Sequence, residues 1–267
     1  MRRILSVATI LTVCITFLTL NSCKKETPDT ETQGAVDNAV CEGEFNSRIQ
    51  VINSITIKEQ GVKSNPTVTV GDTTMGFPRS MTIDYGTVGI QDSIDHKVRK
   101  GQMIVRFDNR WHITGTIAVV KLVDYFVANT LGGNWVQYAA DSIIIIHGAN
   151  SFTNNIVGGK CVSPTWNLEW SSDRTVTQTE GIATLDAIDD VFSTTGTTTG
   201  KDRNGKSYKV NITSPIIKRA NCSWMEAGRL EITPDGMPAR TIDYGSGACD
   251  SKASITIDGN TFTFNMN

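Results

Sequence analysis

The pentapeptide Thr-Ile-Asp-Tyr-Gly occurs twice in this sequence, and its aspartate and tyrosine are the most direct candidates for acid–base chemistry. The two copies lie at 82–86 and 241–245, and each places a carboxylate, Asp84 or Asp243, beside a tyrosine and a glycine. One interpretation is a pair of equivalent acidic sites. We prefer a second one, a strand that ends in a glycine turn, with the aspartate accepting hydrogen bonds from backbone amides and the tyrosine packed. Nothing supplies a second carboxylate at a fixed spacing, as acid–base catalysis would need.

The other candidate catalytic residues carry no motif. The histidines match no metalloprotease or triad signature, and His147 is interpreted as a strand-edge residue. Glu169 and Asp189-Asp190 are acidic, but nothing identifies them as the carboxylate pair of a glycosidase. The three histidines are His96, His112 and His147. We therefore predict no catalytic residue, no cofactor and no metal, and we lean towards a protein that is not an enzyme.

Four tryptophans lie in or beside predicted strands and could stack on sugar rings: Trp135, Trp166, Trp170 and Trp224. Indole rings bury in β cores more often than they form exposed platforms, so we favour a packing role for them. A carbohydrate-binding face remains the alternative.

The N-terminal segment predicts an exported protein. Arg2 and Arg3 precede an uncharged, hydrophobic run over 4–20, which is the pattern of a secretory signal. The next residues, 20–23, read Leu-Asn-Ser-Cys and resemble the bacterial lipobox, in which the chain is cut before the cysteine and its sulfur receives diacylglycerol. This resemblance implies a signal peptide over 1–22 and a lipidated Cys23. An uncleaved anchor and ordinary secretion are the alternatives.

A polar tether follows the predicted lipid anchor. Residues 23–34 contain no large apolar side chain after the cysteine, so this stretch should be solvated and should hold the folded part away from the membrane. Two or more acyl chains hold a protein on a bilayer stably, and no further membrane segment would be needed. Lys24 and Lys25 stand where an inner-membrane retention signal would place aspartate, which favours the outer membrane.

The remaining cysteines suggest an oxidising compartment. Six cysteines are present, of which Cys14 would leave with the signal peptide and Cys23 would carry lipid. Cys222 and Cys249 flank a strand-turn-strand stretch, so we predict a disulfide between them. Cys41 and Cys161 either pair or remain free. A zinc site is poorly supported, because the sequence has no C-x-x-C motif and no histidine near a cysteine pair.

The elements that must position these residues are predicted to be strands, with one early helix. Apolar residues at 36, 40, 45, 49 and 52 predict a helix over 35–53, and alternating polar and apolar residues predict strands over 54–267. Asn204-Gly205 and Asp258-Gly259 are type I′ hairpin signals. Four isoleucines at 143–146 predict a strand buried on both faces.

The fold class we predict is all-β, an antiparallel β-sandwich or barrel-like sheets with one N-terminal helix. The two pentapeptides suggest two related β units, over 54–160 and 161–267. The chain has 267 residues and a formal net charge of -2, with no basic stripe, so nucleic-acid binding is not predicted.

The C-terminal third resembles a widespread group of uncharacterised Bacteroidota lipoproteins of the outer membrane or cell envelope. The resemblance is carried by Asn204-Gly205 with Tyr208, by Cys222 with Trp224, and by the stretch 228–250, which contains Thr-Ile-Asp-Tyr-Gly-Ser-Gly-Ala-Cys-Asp. It also touches residues 37–46 and 97–105. The first pentapeptide departs from the pattern, because Gly89-Ile90 stands where the group usually has a cysteine. The resemblance implies an envelope lipoprotein and no particular activity.

These observations lead to three functional hypotheses. The first is a lipid-anchored cell-envelope protein with a non-enzymatic binding or structural role, whose partners are the membrane, through the lipid, and an envelope protein or glycan. The second is a glycan-binding accessory protein. The third is a hydrolase with an unusual site, which would need a deep cleft with two convergent acids or an oriented histidine.

Overall fold

The structure is a computed structural model that describes residues 29–57, 66–71, 76–92, 97–130, 132–184 and 187–266. These residues form one α-helix, a short 3-10 helix (Ala187–Asp189) and fifteen strands. The elements are α1 (Gln33–Ile57), β1 (Thr67–Val70), β2 (Arg79–Asp84), β3 (Ile90–Gln91), β4 (Val98–Phe107), β5 (Ile117–Ala128), β6 (Val136–Ala139), β7 (Ser142–His147), β8 (Ser151–Val162), β9 (Asn167–Glu180), β10 (Val191–Lys201), β11 (Ser207–Arg219), β12 (Ala227–Pro234), β13 (Arg240–Ser246), β14 (Lys252–Ile257) and β15 (Asn260–Asn265).

The strands form a single antiparallel sheet in which neighbours in sequence are mostly neighbours in space. The order is β1-β2-β4-β5-β6-β8-β9-β10-β11-β12-β13-β14-β15, with β3 paired to β4 and β7 paired to both β5 and β8. Short connections and turn residues make such a meander the simplest antiparallel arrangement. The predicted all-β, antiparallel class with one N-terminal helix is confirmed.

Helix α1 lies against one face of this sheet. Its side chains bond to residues of β4, β5, β8 and β9 and to the loop after β10, so the sheet must curve around it. The helix therefore occupies the place that a second sheet has in a β-sandwich. In the described part of the chain β1 and β15 do not pair with each other, and the sheet keeps two edges.

The helix is longer than predicted, and most of its predicted apolar stripe is buried. It runs from Gln33 to Ile57. Phe45, Ile49 and Ile52 lie in the core and Val40 packs against it, whereas Val36 is 51% exposed. The buried face also includes residues outside the apolar pattern: Cys41 and the polar residues Asp37, Asn38, Glu44 and Arg48.

The two hairpin signals have different outcomes. Asp258 and Gly259 both have positive φ, at 48° and 77°, and connect β14 to β15 as the type I′ turn requires. Asn204 does not have positive φ, and the β10–β11 connection is a wider loop in which the carboxylate of Asp202 accepts hydrogen bonds from the amides of Asn204 and Lys206. The type I′ prediction is wrong for Asn204-Gly205, because an aspartate cap replaces the tight turn.

The isoleucine strand β7 is buried on one face only. Ile143 and Ile145 are 2% and 1% exposed, whereas Ile146 is 40% exposed. The prediction of burial on both faces is wrong, because the helix covers only the inner face of the sheet.

The sheet is continuous across residue 160, the proposed boundary between two β units. That boundary falls inside β8, which pairs with β9 along most of its length. In the described residues no helix is both long enough and apolar enough to cross a bilayer.

Candidate functional site

The two pentapeptides build the same strand end. An oxygen of Asp84 accepts a hydrogen bond from the amide of Gly86 at 2.7 Å, and an oxygen of Asp243 accepts one from the amide of Gly245 at 2.8 Å. These bonds lower the pKa of both carboxyls below the usual range, because they favour the charged form. The predicted hydrogen bond from the glycine amide to the aspartate is confirmed in both copies. The first strand ends at Asp84 as predicted, whereas β13 continues through Gly245 to Ser246, and the two carboxylates lie in separate places.

The neighbouring strand carries a matching glycine in both places. Gly101 in β4 and Gly228 in β12 have φ of 88° and 103° and interrupt the regular register. A Cβ on Gly101 would lie 1.9 Å from the carbonyl oxygen of Asp124, and one on Gly228 would lie 2.2 Å from that of Pro215. Both are therefore bulges that only glycine can form. The partner strand follows the first pentapeptide in sequence but precedes the second.

A buried ionic network joins the helix to the first pentapeptide. Glu44, which is 1% exposed, accepts hydrogen bonds from Arg99 at 3.1 Å, from the hydroxyl of Tyr125 at 2.9 Å and from Lys97 at 3.1 Å. Arg99 also pairs with Asp92 at 3.2 Å, and Asp92 accepts a bond from the hydroxyl of Tyr85. Burial raises the pKa of both tyrosines, so they stay protonated and act as donors. The network works as a scaffold that fixes the helix on the sheet.

A second set of polar contacts holds the N-terminal half of the helix. Asp37 is fully buried and accepts a bond from the Nε of Arg203 at 2.8 Å. Glu42 pairs with Arg174 at 2.9 Å, and the indole of Trp170 donates to Asn38 at 3.0 Å. Arg174 and Trp170 lie in β9 and Arg203 lies in the loop after β10, so the helix position depends on residues more than 130 positions away.

Arg48 differs from the other buried arginines. It is 1% exposed, and its three guanidinium nitrogens have no hydrogen-bond partner in the described residues. Its guanidinium carbon lies 4.1 Å from the centre of the Phe45 ring. Burial lowers the pKa of Arg48, because the charged form loses its hydration.

The four cysteines in the described residues are one disulfide-bonded pair and two free thiols that lie close together. Cys222 and Cys249 are joined by a disulfide with Cα atoms 5.8 Å apart, which confirms that prediction. The Sγ atoms of Cys41 and Cys161 are 3.0 Å apart, and both residues are fully buried. Glu226 lies beside the Cys222–Cys249 pair. Because that pair is oxidised, its sulfurs are not available as metal ligands.

The histidines do not converge on a site. His147 stacks edge-on against Trp111 and Phe152, with ring centres 5.5 and 4.8 Å away. Burial lowers the pKa of His147, so it stays neutral and serves as a packing residue at the end of β7. His112 lies in the turn before β5. Cys23 and His96 lie outside the described residues.

None of the four candidate tryptophans is an exposed platform. Trp170 is 1% exposed and packs in parallel on Phe45. Lys100 lies 4.4 Å above the ring of Trp135, and Arg203 lies 4.9 Å above that of Trp166. Trp224 is partly buried.

The described surface contains a groove of ≈ 840 Å³ over β9, β10, β11 and β12. Trp170 and Tyr208 point inwards, towards Asn38 and Gly34 of the helix, so the residues on either side of them face out. Two rows of polar side chains therefore line the groove. One contains Glu169, Lys201 and Ser207, and the other contains Ser171, Thr199, Lys209 and Thr233.

The groove does not bring two acids together. Glu169 is on β9 and Asp235 follows β12, three strand spacings away, which corresponds to about 14 Å. A glycosidase pair needs about 5–9.5 Å. Asp189 and Asp190 lie elsewhere and accept hydrogen bonds from Thr184 and Gln178 respectively.

The sequence reasoning missed the buried polar network entirely. Its signal is present in the sequence, since Asp37, Glu44 and Arg48 recur at helical spacing on one face. Charged residues are seldom fully buried unless they are paired, so their helical spacing alone does not predict a buried network. Comparison with protein-family models, with curated proteins and with solved structures found no match to this chain.

Proposed function

We propose that this protein is a lipid-anchored protein of the cell envelope with a non-enzymatic binding or structural role. The observation that carries the proposal is the way the chain enters the folded body. Asp29 pairs with Arg240 at 2.5 Å, and the backbone oxygen of Glu31 accepts a bond from the same side chain. The body therefore begins only a few residues after Cys23, within about 20 Å of a lipid attached there.

The interior supports a scaffold rather than a reaction centre. The buried carboxylates Asp37, Glu44 and Asp92 are each bonded to an arginine. These ion pairs hold the helix on the sheet, and the three carboxylates are taken up by structural contacts. The outer groove over β9 to β12 is a candidate surface for partners.

Metabolic labelling with an alkyne fatty acid tests the anchor. We expect the wild-type chain to be labelled and to fractionate with membranes, and Cys23→Ala to be unlabelled and released. Cys14→Ala is the matched control, because Cys14 lies in the segment that would be removed, and it should behave as wild type. Equal labelling of Cys23→Ala would contradict the proposal.

A second candidate, binding of a glycan, is favoured by the groove itself. Hydroxyl and charged groups in two parallel rows can bond to successive sugar hydroxyls without an aromatic platform. Retention on a panel of immobilised envelope polysaccharides would test this. Lys209→Ala should weaken retention about tenfold, the loss of one charge-assisted bond. Lys121→Ala, on the exposed face of β5, is the control. Absence of retention by the wild type would remove this candidate.

A further inference from the structure

The buried cysteines Cys41 and Cys161 lie closer together than two unbonded groups normally do. Their Sγ atoms are 3.0 Å apart. Non-bonded heavy atoms attract best at about 3.5–4.0 Å, and a disulfide bond is about 2.05 Å long. The contact is therefore shorter than ordinary packing would give and needs only a small shift to close into a bond.

We infer that Cys41 and Cys161 form a second disulfide, which joins α1 covalently to β8. Cys41 is on the helix face that meets the sheet, and Cys161 is opposite Tyr138 of β6 on the inner face of the sheet. The bond would close a loop of 120 residues. It rests on the proposed envelope location, since such bonds persist in oxidising compartments.

The surroundings indicate when this bond would form. Both residues are 0% exposed, and Phe45 and Tyr138 pack beside them with ring centres 5.8 Å apart. Burial raises the pKa of Cys161, which disfavours the reactive thiolate once the helix has docked. Oxidation would therefore take place during folding, before the sheet closes over the helix.

The reaction is a dithiol–disulfide exchange with a protein disulfide donor of the envelope. The thiolate of one cysteine attacks the donor disulfide, forms a mixed disulfide and releases one donor thiolate. The second cysteine, after losing its proton, attacks the mixed disulfide and displaces the other donor sulfur. Two electrons reduce the donor to a dithiol, and two protons leave the cysteine thiols.

The consequence is mechanical as well as energetic. Any pull on a lipidated Cys23 would act first on the contacts of Asp29 and Glu31 with Arg240 and then on the start of α1. A bond at Cys41 would transfer load to β8, in the middle of the sheet, after about two turns of helix. It would therefore relieve the ion pairs further along the helix.

Peptide mapping of the full chain tests the inference. The protein is purified from membranes without reductant, acid-quenched, and unfolded in guanidinium with N-ethylmaleimide. We expect no adduct on Cys41 or Cys161 and a cross-linked peptide that contains both. The Cys222–Cys249 disulfide is the internal control. Adducts on Cys41 and Cys161 with the control pair intact would overturn this inference alone, whereas adducts on all four would count against the oxidising location and so against both proposals.

A stability measurement adds a second arm. The variant Cys222→Ala/Cys249→Ala retains only the inferred bond, and reduction with dithiothreitol should lower its thermal midpoint by about 10 °C. The control is the quadruple variant, in which Cys41→Ala and Cys161→Ala are added to the first variant. Its thermal midpoint should not change on reduction. An unchanged midpoint of the first variant would overturn the inference.

Discussion

The two Thr-Ile-Asp-Tyr-Gly strand ends have the same local structure and different surroundings. Both aspartates accept a bond from the glycine amide two residues later. Tyr85, however, is fully buried and bonded to Asp92, whereas Tyr244 is partly buried and its hydroxyl has no hydrogen-bond partner in the part of the chain that is described. Five identical residues therefore fix the turn but not the role of the tyrosine.

The difference comes from what the helix presents to each strand end. Near Tyr85 the helix places Glu44, and Arg99 and Asp92 complete a buried network. Near Tyr244 it places Glu42, whose side chain is 21% exposed and which pairs with Arg174. Residues two positions apart on one helix thus place a fully buried carboxylate at one strand end and a partly exposed one at the other.

The largest expected effect separates these two environments. Glu44→Gln should lower the free energy of unfolding by about 3 kcal/mol, because it leaves Arg99 and Lys97 without their shared carboxylate in a buried site. Glu42→Gln, the matched control, should lower it by about 1 kcal/mol, since water can still reach that position. Guanidinium denaturation measures both. Equal losses of stability would show that the environments of Glu44 and Glu42 are energetically alike.

The next prediction concerns Arg48, whose guanidinium has no hydrogen-bond partner in the described residues and lies beside the Tyr85 network. Arg48→Met should raise the free energy of unfolding by about 2 kcal/mol, because it removes a desolvated guanidinium and keeps the packed stem. Arg99→Met should have the opposite sign, since Arg99 is paired. Thermal unfolding of the two variants checks this. Destabilisation by Arg48→Met would mean that its charge is compensated.

Removing each tyrosine hydroxyl tests the comparison directly. Tyr85→Phe should cost about 1 kcal/mol, because the hydroxyl donates to the buried carboxylate of Asp92. Tyr244→Phe should change the free energy of unfolding by less than about 0.5 kcal/mol. Equilibrium urea unfolding can resolve this difference. A larger loss of stability for Tyr244→Phe than for Tyr85→Phe would contradict the view that the Tyr85 hydroxyl is the one that makes a stabilising hydrogen bond.

Sequence patterns predicted what depends on neighbouring residues. The antiparallel strands, the Asp258-Gly259 turn and the aspartate-capped glycine turns follow from alternation and turn chemistry over a few positions. The Cys222–Cys249 disulfide could be predicted because both cysteines flank one short stretch of strands.

Features that depend on distant contacts could not be predicted. The partners of Asp37 and Glu42 lie 166 and 132 residues away, so nothing in their neighbourhood marks them as buried. The same reason explains the one wrong position of the helix stripe, since Val36 fits the apolar period but is 51% exposed. The groove was missed as well, because it arises only when four strands are placed side by side.

The smallest expected effect concerns what the two strand ends share. Asparagine in place of Asp84 or Asp243 keeps the acceptor and removes the charge that the glycine amide stabilises. The pKa of each aspartate is lower in the folded state than its unfolded value of about 3.9. The ionised carboxylate should therefore stabilise the fold at pH values above about 3.9, and this stabilisation should be lost as the pH falls through the folded pKa. Exposure limits each contribution to a few tenths of a kcal/mol.

Salt should then distinguish the two ends. The pKa of Asp243 is lowered mainly by the Gly245 amide and also by Arg229, which is 61% exposed, whereas Gln102, the side-chain partner of Asp84, is uncharged. Denaturation from pH 2 to pH 7 at low and high ionic strength should therefore show a salt-sensitive difference between wild type and Asp243→Asn, and a salt-insensitive one for Asp84→Asn. Both aspartates accept a hydrogen bond from a glycine amide. If the stability difference between wild type and variant does not depend on pH at either aspartate, the capping role itself is contradicted.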